Sequence, residues 1–250
     1  MNSRESQNLV LEFSRFEFKY VLHKALREEV ESELGYFMHL DPFVETSENN
    51  RYFVRSLYFD DPFNTAFYDK IDGLKHRSKF RVRTYSREPQ FDTPIFLEEK
   101  GRLDNRVFKH RTLIAESSAD FDADNLAATL LTEEFDNQVL LEKFRFDWFR
   151  KQIRPVALID YLRRPYLSKY DHEFRVTFDE VLHGYRTDRL FPGRTVAGRQ
   201  LMPGYTVMEV KFSRQVPAWF HRIIQSYELR RVPLSKICEG MKRLKIAVDL

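Results

Sequence analysis

The sequence predicts an α+β fold: an antiparallel β-barrel, or tunnel, with a polar charged lumen and helices packed outside it. Three observations carry that reading. Short β-branched and aromatic segments recur along the chain between helical ones. In most of them Arg, Lys and Glu alternate with Phe, Val and Leu, which gives each strand one charged and one apolar face. Those charged faces hold few of the Thr, Ser and Gln residues that populate ordinary wet faces.

The first strand opens at RFEFKY (15–20), with Arg15, Glu17 and Lys19 on one face and Phe16, Phe18 and Tyr20 on the other. Residues 22–38 carry apolar positions at helical spacing, and Asp41-Pro42 ends that region. A strand follows at 52–60. DDPFN reads as a turn, and 64–73 as a short helix closed by Gly73. Strands are predicted at 79–85, 95–100 and 105–113, helices at 122–135 and 138–151, and strands again at 156–162, 173–179 and 206–213. Pro217 suits the first turn of a helix, and a last helix spans about 235–245. The Gly- and Pro-containing stretch 184–204 reads as a long loop.

Alternation sorts the charges. Lys79, Arg81, Arg83 and Tyr85 share one face; Glu98 joins Lys100, and Lys109 joins Arg111. Glu173, Arg175, Thr177 and Asp179 align, as do Glu209 and Lys211, and Glu-x-Lys occurs on three strands, at 17–19, 98–100 and 209–211. A half-wet antiparallel sheet solvates such a face. Here several amphipathic helices are available to cover the apolar faces, which turns the charged faces toward one another in a closed sheet. Crowded cations repel and are costly to desolvate. They make sense around a strong anion such as polyphosphate, whose oxygens suit Arg and Lys, while the few Glu residues suit a hard divalent cation bridging phosphate oxygens.

The 250 residues contain no Pro/Gly/Ser-rich linker and fit one domain, 13–250, after a flexible N-terminus, 1–12. Basic and acidic residues number 41 and 38, so bulk charge does not call for nucleic acid, and the basic residues alternate inward instead of forming an outer patch. The one cysteine, Cys238, excludes an internal disulfide. No apolar run reaches the ~18 residues of a membrane span, and no signal peptide is evident, which predicts a cytoplasmic protein. The seven His lack metal-ligand spacing, and neither a Walker loop nor a GxSxG elbow occurs.

The segments RFEFKY (15–20), RSLYFDD (55–61), KFRVRTY (79–85), FLEEK (96–100), YLRRPY (161–166), FRVTFD (174–179), VMEVKFS (207–213), PAWF (217–220) and SKICEG (235–240) resemble, in order, the VTC domain, the polyphosphate polymerase branch of the triphosphate tunnel metalloenzymes. The resemblance implies an ATP-dependent phosphotransferase that extends inorganic polyphosphate, with Mn²⁺ or Mg²⁺ as cofactor. Arg81, Arg83, Lys100, Arg175 and Lys211 match its catalytic basic positions. Lys19, Lys109, Arg163 and Lys236 match further phosphate-holding positions, with Arg111 and Arg15 as additions and Tyr161 and Ser235 as polar neighbours. Glu209 matches the metal-binding carboxylate; Glu17 and Glu98 are candidates as metal ligands or as partners that hold Lys and Arg side chains. A tripolyphosphatase or nucleoside triphosphatase in the same tunnel, and a polyphosphate- or inositol-phosphate-binding module, are the alternatives. If product enters a membrane compartment, a separate membrane-protein partner at the inner membrane is implied.

Overall fold

The computed structural model describes residues 16–45, 47–104, 106–193 and 196–249. The predicted N-terminal segment 1–12 and Arg15 lie outside them. β1 (Phe16–His23) leads directly into α1 (Lys24–Leu34), and the His23 ring accepts from the Leu26 amide at 3.2 Å as the helix cap. The helix is shorter than its apolar spacing suggests because Val21 and Leu22 pair across a ladder and stay in the strand. After β2 (Met38–Leu40), β3 (Tyr52–Asp60) enters α2 (Thr65–Ile71) through two adjacent carboxylates. Asp60 accepts from the amides of Asp61, Ala66 and Phe67, and Asp61 from those of Phe63 and Thr65. The Asp-Asp of RSLYFDD thus satisfies helix-start donors.

β4 (His76–Thr84), β5 (Ile95–Leu103) and β6 (Arg106–Ala115) form a meander, followed by α3 (Leu126–Thr132) and α4 (Gln138–Arg150). β7 (Arg154–Ser168) and β8 (Arg175–Tyr185) run well past their predicted ends. β7 is held by β3 on one side and β8 on the other, with β2 pairing its far end. β9 (Arg199–Gln200), β10 (Tyr205–Phe212), α5 (Ala218–Ser226) and α6 (Lys236–Arg243) complete the order. β9 and the end of β8 lie inside the stretch predicted as a loop.

All ladders are antiparallel, in the order β1-β10-β8-β7-β3-β4-β5-β6. The edge strands β1 and β6 share no ladder, so the sheet is curled but not closed, and the predicted closed barrel is corrected to that extent. An ion pair reaches across from β1 to β5 instead: Lys100 Nζ lies 2.9 Å from Glu17 Oε2. The chain before α6 also runs beside β1, where the Val232 amide donates to the Lys19 carbonyl at 2.9 Å.

Two apolar layers cover the convex face. α3 and α4 pack on β3–β6, with Phe144 edge-on to Phe59 and Phe80. α1 and α5 pack on β1, β8 and β10 around Phe174, Phe178 and Phe220. Not every helix is outside, however. α6 and Phe67 of α2 sit against the concave face, where Ile237, Cys238, Met241 and Leu244 meet Val54, Ala157, Ile159, Leu182 and Val207. The approach is close enough that a Cβ on Gly240 would lie 2.5 Å from Ile159 Cδ1, which accounts for the glycine in SKICEG.

Candidate functional site

The rest of the concave face encloses a cavity of about 1200 Å³. Among the described residues, thirteen Lys and Arg side chains line it, against three carboxylates, Glu17, Asp136 and Glu209. The alternation of β1, β4, β5, β6, β7 and β10 brings Lys19, Arg81, Arg83, Lys100, Lys109, Arg111, Tyr161, Arg163 and Lys211 together there. The start of α6 adds Ser235 and Lys236. The lining also takes in His110, Thr112 and Gln138–Leu140, so the cavity spills over the edge of β6 toward the start of α4.

Arg175 is the correction. It shares a face with Lys211, its ladder partner, as predicted. It is nevertheless exposed and outside the cavity lining, because it is the first residue of β8 and stands at the rim.

Between β7, β8 and the start of α6, Arg163 and Lys236 are neutralised. Arg163 donates to both Asp179 oxygens at 2.6 and 2.7 Å and to Glu209 at 3.1 Å. Lys236 lies 2.5 Å from both Asp179 and Glu209, with its ammonium 5.0 Å from the Tyr161 ring centre. Burial works against every charge here. The opposite charges outweigh it, raising the Lys236 ammonium above its ordinary range and holding Glu209 and Asp179 below theirs. Asp179 stands out as a missed residue: its place on a charged face was legible, but not its pairing.

On the β4–β5–β6 wall one fully buried carboxylate serves several cations. Glu98 accepts from Arg81 and Arg111, each at 2.7 Å, and Lys109 lies 2.7 Å away. Burial pushes its carboxyl up, but Arg81, Arg83, Lys109 and Arg111 hold it well below the usual range. Tyrosine hydroxyls complete the arginine partners: Arg81 donates to Tyr58, Arg83 to Tyr161 and Arg111 to Tyr85. Tyr58 and Tyr85 went unassigned in the sequence, although alternation places both on inner faces. Burial raises the Tyr58 phenol, but Arg81, Arg83 and Lys79 bring it down to about 7.

Among the described lysines of the lining, Lys79, Lys109 and Lys211 are depressed furthest. Lys79 has Ser235 Oγ at 3.0 Å, and Lys211 has Glu209 only at 3.9 Å. Lys109 shares Glu98 with two arginines. Burial depresses all three, to about 8 for Lys79, about 8 for Lys211 and about 7 for Lys109, with Arg163 adding to the fall at Lys211 and Arg111 at Lys109. A cavity in this state favours an anion that restores those charges.

The carboxylates alone do not make a metal cage: among the described residues no group of three or more His, Cys, Asp or Glu is placed to hold an ion. Glu17 and Glu209 do flank one point, for Lys19 Nζ lies 3.1 Å from one and 3.5 Å from the other. That point is taken by the Lys19 ammonium, so an ion held by the two carboxylates would have to displace it. Glu98 is occupied by its three cations in the same way that Glu209 is by Arg163, Lys236 and Lys19.

The sequence matches the VTC domain over residues 14–245. The chain therefore belongs to the VTC domain family, part of the triphosphate tunnel superfamily. No curated protein matches the sequence. Among solved structures, that of the PH1819 protein from Pyrococcus horikoshii OT3 is similar at a TM-score of 0.46 and 12% identity, over 92% of this chain and 99% of that one. Among the described residues no helix is long and apolar enough to cross a membrane.

Proposed function

We propose that this chain is a polyphosphate polymerase that transfers the γ-phosphoryl group of ATP to the end of an inorganic polyphosphate chain. The observation that carries the proposal is the excess of Lys and Arg converging on one cavity in a member of the VTC domain family. A terminal phosphate oxygen of the polymer attacks the γ-phosphorus, the bond from that phosphorus to its bridging oxygen breaks, and ADP leaves. The nucleophile is already an anion, so no strong general base is needed; alignment and charge stabilisation suffice.

Arg81, Arg83, Lys79, Lys100 and Lys211 receive phosphate oxygens. Glu98, Tyr58 and Tyr161 hold the guanidinium planes of Arg81 and Arg83 in place beforehand, which limits reorganisation during the reaction. Glu209 and Glu17 would hold Mn²⁺ or Mg²⁺ together with the substrate once the Lys19 ammonium is displaced, and that ion supplies further neutralisation of the phosphates.

The test is an assay of the purified chain with ATP and Mn²⁺, with polymer resolved on a gel and ADP measured. Long polymer with stoichiometric ADP is expected. Orthophosphate alone would mean a hydrolase, and tight polyphosphate binding without ADP would mean a binding module.

A further inference from the structure

At one mouth of the cavity the cations give way to aromatic rings. Phe43 is 70% exposed, and the Asp41 carboxylate accepts from its backbone amide at 3.0 Å. Its ring stands at 89° to Tyr52, with centres 5.4 Å apart, and Tyr52 meets Tyr85 at 5.9 Å. Tyr52 and Tyr85 both line the cavity. The rings thus run from solvent inward to the first phosphate-binding cations. Tyr52 is the ladder partner of Arg163, and Tyr85 stands two residues beyond Arg83 on the same face, a separation of ~7 Å along a strand. A bare phosphate chain has no use for apolar ring surface in water. A molecule with phosphates at one end and a flat heterocycle at the other uses both.

We propose that Phe43, Tyr52 and Tyr85 form a base-stacking platform that seats the nucleobase of a nucleoside triphosphate while its phosphates extend toward Arg83 and Arg81. The platform rests on the phosphate reading of the cavity and adds nucleotide selectivity to it. It sets the donor's direction, base at the ring mouth and γ-phosphate inward. No hydrogen-bonding group is required to read the base edge, so purines bind better than pyrimidines through stacking area alone.

The experiment measures binding of ATP, CTP and inorganic triphosphate to the wild-type chain and to Phe43→Ala and Tyr52→Leu by calorimetry, with a thermal melt to establish folding. Phe43 is exposed, so its variant keeps the proposal testable if Tyr52→Leu unfolds. Each variant is expected to weaken ATP by about tenfold, within the range of a base–aromatic stack, to weaken CTP less, and to leave inorganic triphosphate within twofold. Equal loss of all three ligands, or no loss of any, overturns the platform alone. Failure of inorganic triphosphate to bind the wild-type chain overturns the phosphate reading and the platform with it.

Discussion

Two sets of cations in the cavity are built from the same residue types and behave oppositely. Between β7, β8 and the start of α6, Arg163 and Lys236 are locked onto Asp179 and Glu209 at 2.5–3.1 Å. Among the described residues, Lys79 on β4 and Lys211 on β10 have only a hydroxyl at 3.0 Å and a carboxylate at 3.9 Å. Composition alone would count all four as phosphate ligands. The pairing divides them: the first two hold the sheet and α6 together, and the others are left for a ligand. A cation's availability is set by what neutralises it, not by the face it occupies.

The largest effect follows from breaking the locked set. Arg163→Ala leaves Asp179 and Glu209 buried with Lys236 as their close shared cation. Removing one partner of a buried ion network costs about 3–5 kcal/mol, on the order of 10 °C in Tm for a chain of this length. A calorimetric melt of the ligand-free protein checks this. A shift below about 2 °C would place Arg163 among the ligand-receiving cations and erase the division.

Arg83→Ala tests the other side. Arg83 donates to Ser56 and Tyr161 and reaches Glu98 only at 3.8 Å, so without it Glu98 keeps its closer cations Arg81, Lys109 and Arg111. Loss of a charge-assisted contact costs about 1.5–3 kcal/mol, equivalent to roughly 10- to 150-fold in polyphosphate affinity, with Tm little changed. Titration calorimetry and a melt together decide the case. A large fall in Tm with intact affinity would reverse the assignment.

The depressed lysines give a pH signature of two opposite signs. Lys79, Lys109 and Lys211 have folded values of about 8, about 7 and about 8 against an ordinary 10.5. Between those values and 10.5 the unfolded chain binds more protons, so ligand-free stability rises with pH through that window, and below it the repulsion is felt in full. Bound phosphate restores the charges. Binding at pH 8 should therefore take up protons, and affinity should fall several-fold from pH 7 to 9. Ionisation of Tyr58, at about 7, adds a negative charge and pushes affinity the same way. Calorimetry in two buffers of different ionisation heat measures the uptake. Proton release on binding would mean that these lysines do not meet the ligand.

Much of this architecture is legible in the sequence. Period-2 alternation places Lys19, Arg81, Arg83, Lys100 and Lys211 on inner faces because strand geometry leaves side chains only two directions. Three things were not legible. The amphipathic pattern of α6 shows that it buries one face but not against which side of the sheet, so its place in the concave face came as a correction. The gap between the two sheet edges is spanned by the ion pair of Glu17 on β1 with Lys100 on β5, a tertiary pairing between residues 83 apart. The roles of Asp179 and Glu98 depend on cross-strand register, which the order of residues within one strand does not fix.

Alternation also says nothing of depth along a strand, and Arg175 is where that matters. The face is right and the position is the rim. An exposed guanidinium there acts on a phosphate chain across water and salt, where the Debye length is about 8 Å at physiological ionic strength. Arg175→Ala is therefore expected to change polyphosphate affinity by less than about twofold at physiological salt, with the small difference vanishing at high salt. The matched comparison is Arg83→Ala under the same conditions, whose loss should persist when salt is raised because its contact is shielded inside the cavity. A tenfold, salt-resistant loss at Arg175 would mean that the ligand reaches past the cavity lining onto the start of β8. The line between the lining and the rim would then have to be redrawn around a longer bound chain.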